Sequence, residues 1–109
     1  MGKILWVDLS TGKLTDECLD EEVSLKYLGG SGIGMRLIYD NQKAGIDALC
    51  PESIIGFGTG PLTGSPAVIG SRFMVMGKSP VSNTWGDANS GGYFGPALKR
   101  AEYDMVFIR

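Results

Sequence analysis

The sequence has no histidine and only two cysteines in 109 residues. Histidine is the side chain whose ordinary pKa lies nearest neutrality, so its absence removes the commonest general base at pH 7. Cys18 and Cys50 stand far apart, without Cys-x-x-Cys spacing or any histidine to complete a metal set. Side chains of this stretch are therefore not expected to hold a metal. Both cysteines are expected as buried or half-buried free thiols in a reducing compartment. Any chemistry must come from a cofactor or from another part of an assembly.

Long apolar runs are missing as well, and none approaches the roughly 20 residues that a membrane helix needs. Met1-Gly2-Lys3-Ile4-Leu5-Trp6-Val7-Asp8 meets an acid before a signal-peptide core could form. There is no basic run, and the net charge is -2. Nucleic-acid backbones are bound mainly through clustered Lys and Arg, so that class is excluded. The expectation is one cytoplasmic domain over residues 1–109, with no nucleic-acid and no membrane partner. Hydrophobic residues at 43% and charged residues at 20% are ordinary for such a domain.

Glycine is in excess, at 17 residues, about twice the usual share of roughly 7%. Glycine costs backbone entropy, so the excess needs a geometric use. Residues 3–9 and 13–17 flank Ser10-Thr11-Gly12 and predict a β-hairpin. Asp20 can cap a helix whose first turn carries Glu21 and Glu22, with Val23, Tyr27 and Leu28 on one face and Gly29 at its end. The glycines of residues 29–34 then predict a close-packed corner, before a second helix through Met35, Leu37 and Ile38 to about Asp40.

Residues 53–58 predict a buried strand and residues 60–66 a loop. In the strand expected at 71–76, Arg72, Met74 and Met76 fall on one face, Phe73 and Val75 on the other. A polar loop is expected through Trp85-Gly86-Asp87, a helix over 93–101, and a last strand over 105–108. That last strand is expected to leave an exposed edge that more chain or a partner would cover. The fold class is α+β, rich in sheet, with a few short helices.

Two glycine motifs fail as nucleotide sites. Residues 29–34 do not match GxGxxG in register and follow a helix, and residues 56–64 lack a Gly-Lys-Ser/Thr ending. Asn89-Ser90-Gly91-Gly92 is better placed, because successive glycines before a helix can aim backbone N–H groups at an anion. The plainer alternative is a capped helix and a tight turn. Arg72 could clamp a phosphate with its planar fork, or simply be solvated or ion-paired. Trp85 and Tyr93 could stack on a planar ring, although core packing is the commoner use of an aromatic.

Several short blocks, taken in order, carry a resemblance. Gly2-Lys3-Ile4-Leu5 through Leu9-Ser10-Thr11-Gly12, Tyr27-Leu28-Gly29-Gly30, Leu49-Cys50-Pro51-Glu52-Ser53 and Gly60-Pro61-Leu62-Thr63-Gly64 come first. Gly70-Ser71-Arg72, Lys78-Ser79-Pro80 and Ala88-Asn89-Ser90-Gly91-Gly92-Tyr93-Phe94-Gly95 follow. Across nearly the whole chain this succession resembles the N-terminal domain of the aldehyde ferredoxin oxidoreductase family. The resemblance implies a β-sheet base on which a tungsten (or molybdenum) atom rests, coordinated by two pyranopterins. It implies that Arg72 contacts pterin phosphate and that Asn89, Ser90, Gly91 and Gly92 lie against the cofactor. It further implies that the Asn89 carbonyl stands near a magnesium that bridges the phosphates.

The sequence departs from the family where Ser31 replaces a basic residue often found in Gly29-Gly30-Ser31-Gly32. Complete members are several times longer. Their iron–sulfur cysteines, second set of pterin loops and proton-transfer residues have no counterpart among these residues. The resemblance thus implies an excised domain, a truncated product or a small subunit, inactive and without cofactor when alone, and completed by the remainder of the enzyme or a larger catalytic subunit. The implied activity is oxidation of an aldehyde to a carboxylic acid, with ferredoxin as electron acceptor. An inactive stand-alone interaction or cofactor-handling module of the same fold is the rival reading, and a homo-oligomer is left open.

Overall fold

Asp8 closes the first turn: its carboxylate accepts the N–H groups of Ser10 at 2.9 Å and Thr11 at 3.2 Å. Gly12 takes the positive φ of +70° that the turn needs. The flanking segments become strands β1 (Lys3–Asp8) and β2 (Lys13–Cys18), paired antiparallel from Lys3 with Cys18 to Asp8 with Lys13. Asp20 then caps helix α1 (Glu21–Tyr27) by accepting the Glu22 N–H at 2.9 Å. The structure, a computed structural model, describes residues 2–109, which contain six strands and three helices.

The corner expected at residues 29–34 is narrower than its glycines suggest. Helix α2 (Gly30–Asn41) begins at Gly30, so Ser31 to Gly34 are already helical. Mid-helix glycine is unfavourable by about 1 kcal/mol relative to alanine, but here it answers a steric need. A Cβ on Gly32 would strike the Tyr27 carbonyl, and one on Gly34 would overlap the Met76 sulfur. The glycines let α2 lie directly on α1 and on the sheet.

Strands β3 (Ile55–Thr59), β4 (Phe73–Lys78), β5 (Trp85–Ser90) and β6 (Tyr103–Ile108) complete one mixed sheet, ordered β2-β1-β6-β3-β4-β5. Helix α3 (Phe94–Arg100) lies between β5 and β6 in the chain. On the face under α2, Ile4, Ile33, Ile38, Ile54, Met76, Met105 and Phe107 form the buried core, with Trp6 stacked on Phe107 at 4.6 Å between centroids. The opposite face is covered at one end by α3, whose Phe94 packs on Phe73 and Phe57 at 4.8 and 5.8 Å.

Three expectations are corrected. The last strand is central rather than an exposed edge: β6 pairs parallel with β1 and antiparallel with β3, which satisfies both its sides. The open edges belong to β2 and β5. Trp85-Gly86-Asp87 is not a loop but the start of β5, because pairing with Lys78, Gly77 and Met76 of β4 overrides the weak strand preference of the sequence. Cys50 is half-buried as expected, whereas Cys18 is exposed, since it lies on an edge strand whose six residues all face solvent.

Candidate functional site

The end of the sheet where β3 and β4 meet the Gly60 turn holds an open cavity of about 450 Å³. Gly29, Gly30 and Ser31 from the start of α2, Gly58 and Gly60 from the end of β3, and Arg72, Met74 and Asn89 line it. Arg72 is the one charged residue of this lining, which contains no carboxylate. An anion entering the cavity would meet positive charge without opposing repulsion.

Arg72 precedes β4 and is exposed. Its main chain is fixed by Thr63, a residue that sequence reasoning read only as part of a loop. The buried Thr63 hydroxyl donates to the Arg72 carbonyl at 2.7 Å and accepts the Gly60 N–H at 3.0 Å. One side chain thus ties the turn after β3 to the residue before β4. Gly95 packs behind the same point: a Cβ there would lie 3.0 Å from the Thr63 methyl and 3.1 Å from the Ser71 carbonyl. The Gly60-Pro61-Leu62-Thr63-Gly64 block was the available signal.

Asn89 and Ser90 are corrected from a loop to the last two residues of β5. Asn89 pairs with Met74 and its side-chain amide donates to the Met74 sulfur at 3.0 Å, which places it in the cavity with Arg72. The Ser79 N–H donates to the Thr84 carbonyl at 2.8 Å and sets the phase of the β4–β5 ladder. By antiparallel alternation, the backbone groups of Trp85, Asp87 and Asn89 then point outward from the open edge. The Asn89 carbonyl is thereby left free of the ladder.

Gly91 stands beside Arg72: a Cβ on it would lie 3.7 Å from the guanidinium Nη1. Ser90 pairs with Phe73 and does not line the cavity. Gly92 also lies outside it, turning the chain toward α3 with φ +97°. Of the two aromatics considered, Trp85 packs half-buried on the core at the far end of β5. Tyr93 is 89% exposed, so it serves neither core packing nor this cavity.

Among the described residues no group of three or more His, Cys, Asp or Glu side chains is placed to hold a metal ion. No helix among them is long and apolar enough to cross a membrane. The site therefore combines one guanidinium, the Asn89 amide, main-chain groups of its glycines and an apolar lining that includes Leu28, Leu62, Ile69 and Met74.

Comparison with known proteins identifies the family of the chain. Residues 4–109 match the family model described as aldehyde ferredoxin oxidoreductase, N-terminal domain. The tungsten-containing aldehyde ferredoxin oxidoreductases of Pyrococcus horikoshii and Pyrococcus abyssi are 44% and 43% identical to the chain over 107 residues, 98% of its length. The chain spans 18% of each of these relatives. In structure it superimposes with a TM-score of 0.95 on part of the active site complex BamBC of benzoyl coenzyme A reductase in complex with 1,5-dienoyl-CoA. That match covers 99% of this chain and 16% of the other, at 31% identity. The chain belongs to the aldehyde ferredoxin oxidoreductase family and corresponds to its N-terminal domain.

Proposed function

We propose that the domain is the base for a tungsten (or molybdenum) bis-pyranopterin in an enzyme that oxidises aldehydes to carboxylic acids, with ferredoxin as electron acceptor. The observation that supports this most is the meeting of Arg72, Asn89 and the glycines of α2 and β3 around one carboxylate-free cavity. These residues fit such a group. Arg72 offers a planar fork to a pterin phosphate, and the open faces of Gly30 and Gly60, where a Cβ would meet nothing nearer than 3.5 and 3.7 Å, let a flat ring approach the backbone. Asn89 presents a carbonyl free of the β4–β5 ladder, a hard oxygen that would suit a magnesium ion accompanying the phosphates.

When bound, the metal-dithiolene group would supply the two-electron chemistry. The residues of this chain would position it and neutralise its phosphate charge. Ser90 and Gly92 would contribute only through the backbone path that sets Asn89 and Gly91. The iron–sulfur cluster and the ferredoxin contact would belong to the rest of the enzyme, which a cytoplasmic location would suit.

Tungsten and pterin content of the complete enzyme tests the reading. Loss of one charge-assisted contact, about 1.5 kcal/mol at an exposed position, should weaken cofactor retention by roughly tenfold in Arg72→Ala, with Arg72→Lys recovering only part. Full metal and pterin occupancy in Arg72→Ala would overturn it.

A further inference from the structure

The mouth of the Arg72 cavity is aliphatic. Leu28, Leu62 and Ile69 line it, and they are 74%, 64% and 71% exposed. A single exposed aliphatic residue needs no explanation, but three around one opening form a patch. Arg72 lies among them at the cavity wall, so the opening joins an apolar collar to one positive charge.

Two of the three residues are held in conformations that their types avoid. Among the described residues, positive φ at a non-glycine position occurs at Leu28, Ile69, Asn83 and Glu102. Leu28, with φ 66° and ψ -52°, makes the rare γ-turn of that sign, closed by the Gly29 N–H donating to the Tyr27 carbonyl at 2.8 Å. Ile69, at φ 65°, is β-branched, the kind of residue for which this region is most costly. Glycine would occupy either position without that cost. Strain of this kind persists where a site needs a given side chain at a given place.

We infer that Leu28, Leu62 and Ile69 form a collar that grips the flat body of a ligand whose anionic end meets Arg72. The inference rests on the reading of the cavity as a pterin-phosphate seat, and it adds the residues that select a phosphate ester of a planar heterocycle over phosphate alone. The collar contributes apolar contact to the ring. Arg72 contributes charge to either ligand.

Binding of two probes to the complete enzyme, freed of its cofactor, separates these parts. One probe is inorganic phosphate, and the other an oxidised, metal-free pterin monophosphate followed by its own fluorescence. Leu28→Ala and Ile69→Ala should each lower pterin-phosphate affinity by about fivefold, from the loss of one or two buried methylene contacts, and leave phosphate affinity unchanged. Arg72→Ala should weaken both probes. Leu28→Gly, which relaxes the γ-turn, should unfold at a temperature no lower than the parent and show the same selective loss, which separates the collar from misfolding. Equal losses for both probes, or none for either, in the collar variants would overturn the collar and leave the seat standing. Binding of phosphate that does not depend on Arg72 would overturn the seat and the collar with it.

Discussion

Gly91 faces Arg72 across ordinary van der Waals space: a Cβ built on the glycine would stand 3.6 Å from the Ser71 hydroxyl oxygen and 3.7 Å from the guanidinium Nη1. One carbon therefore fits, whereas a branched side chain reaches the guanidinium itself. Gly91→Ala is expected to leave phosphate binding within about twofold. Gly91→Val should displace the Arg72 side chain and cost roughly 1.4 kcal/mol, a tenfold loss. Isothermal titration with phosphate checks the pair, and equal affinities for the two variants would show that Arg72 is not held by this contact.

The Gly34 and Met76 pair makes a sharper steric prediction. A methyl group at Gly34 would gain helix propensity of about 1 kcal/mol. It would also overlap the sulfur of Met76, which is 1% exposed and cannot swing into solvent. Overpacking of a closed core costs about 1–3 kcal/mol, so Gly34→Ala should be destabilising despite the better helix former. Urea unfolding measures the sign, and restoring stability with Met76→Ala in the same chain would identify the clash as its source.

Local chemistry made the first third of the fold legible. The hairpin follows from Ser10-Thr11-Gly12 and the α1 start from Asp20 before two glutamates, each an interaction within a few residues. The strand β5 was hidden because Trp85-Gly86-Asp87-Ala88-Asn89-Ser90 has no apolar alternation; it is a strand only through its partner β4. The central place of β6 depends on parallel pairing with β1, about a hundred residues away, which no window of sequence displays. Arg72 and Asn89 were open to plain structural readings on physics alone and were singled out by the resemblance. Thr63 was missed because a hydroxyl in a turn reveals its partners only once Gly60 and Arg72 are brought around it.

Lys99 and Asp104 form an ion pair between the last turn of α3 and the start of β6, with side chains 24% and 12% exposed. The Asp104 carboxylate has Lys99 as its hydrogen-bond donor, and its surroundings leave little room for water. Lys99→Ala should thus strand a nearly buried charge and destabilise the domain by about 2–3 kcal/mol, somewhat below a fully buried pair. Lys99→Met with Asp104→Asn should recover part of that loss. Chemical unfolding of the two variants checks the order, and equal losses would assign the effect to packing alone.

The last prediction concerns pH and the Tyr103–Asp16 contact. Tyr103 on β6 donates its hydroxyl proton to the Asp16 carboxylate on β2 at 2.7 Å, reaching across β1. That hydrogen bond, with some desolvation and the nearby negative charge, raises the Tyr103 pKa above the ordinary value of 10.0. The folded state therefore holds the proton more tightly than the unfolded chain does. The stability that this contact contributes should be fully present below about pH 10 and should fall as pH rises through the higher folded pKa, because deprotonation sets a phenolate against a carboxylate. Lysines titrate in the same range, so the informative quantity is the difference between the parent and Tyr103→Phe, which keeps the ring and removes the donor. Urea unfolding from pH 8 to 11 should give a constant difference up to about pH 9.5 and a shrinking one above it. A difference that stays flat to pH 11 would mean that the hydroxyl does not bridge β6 to β2 in solution.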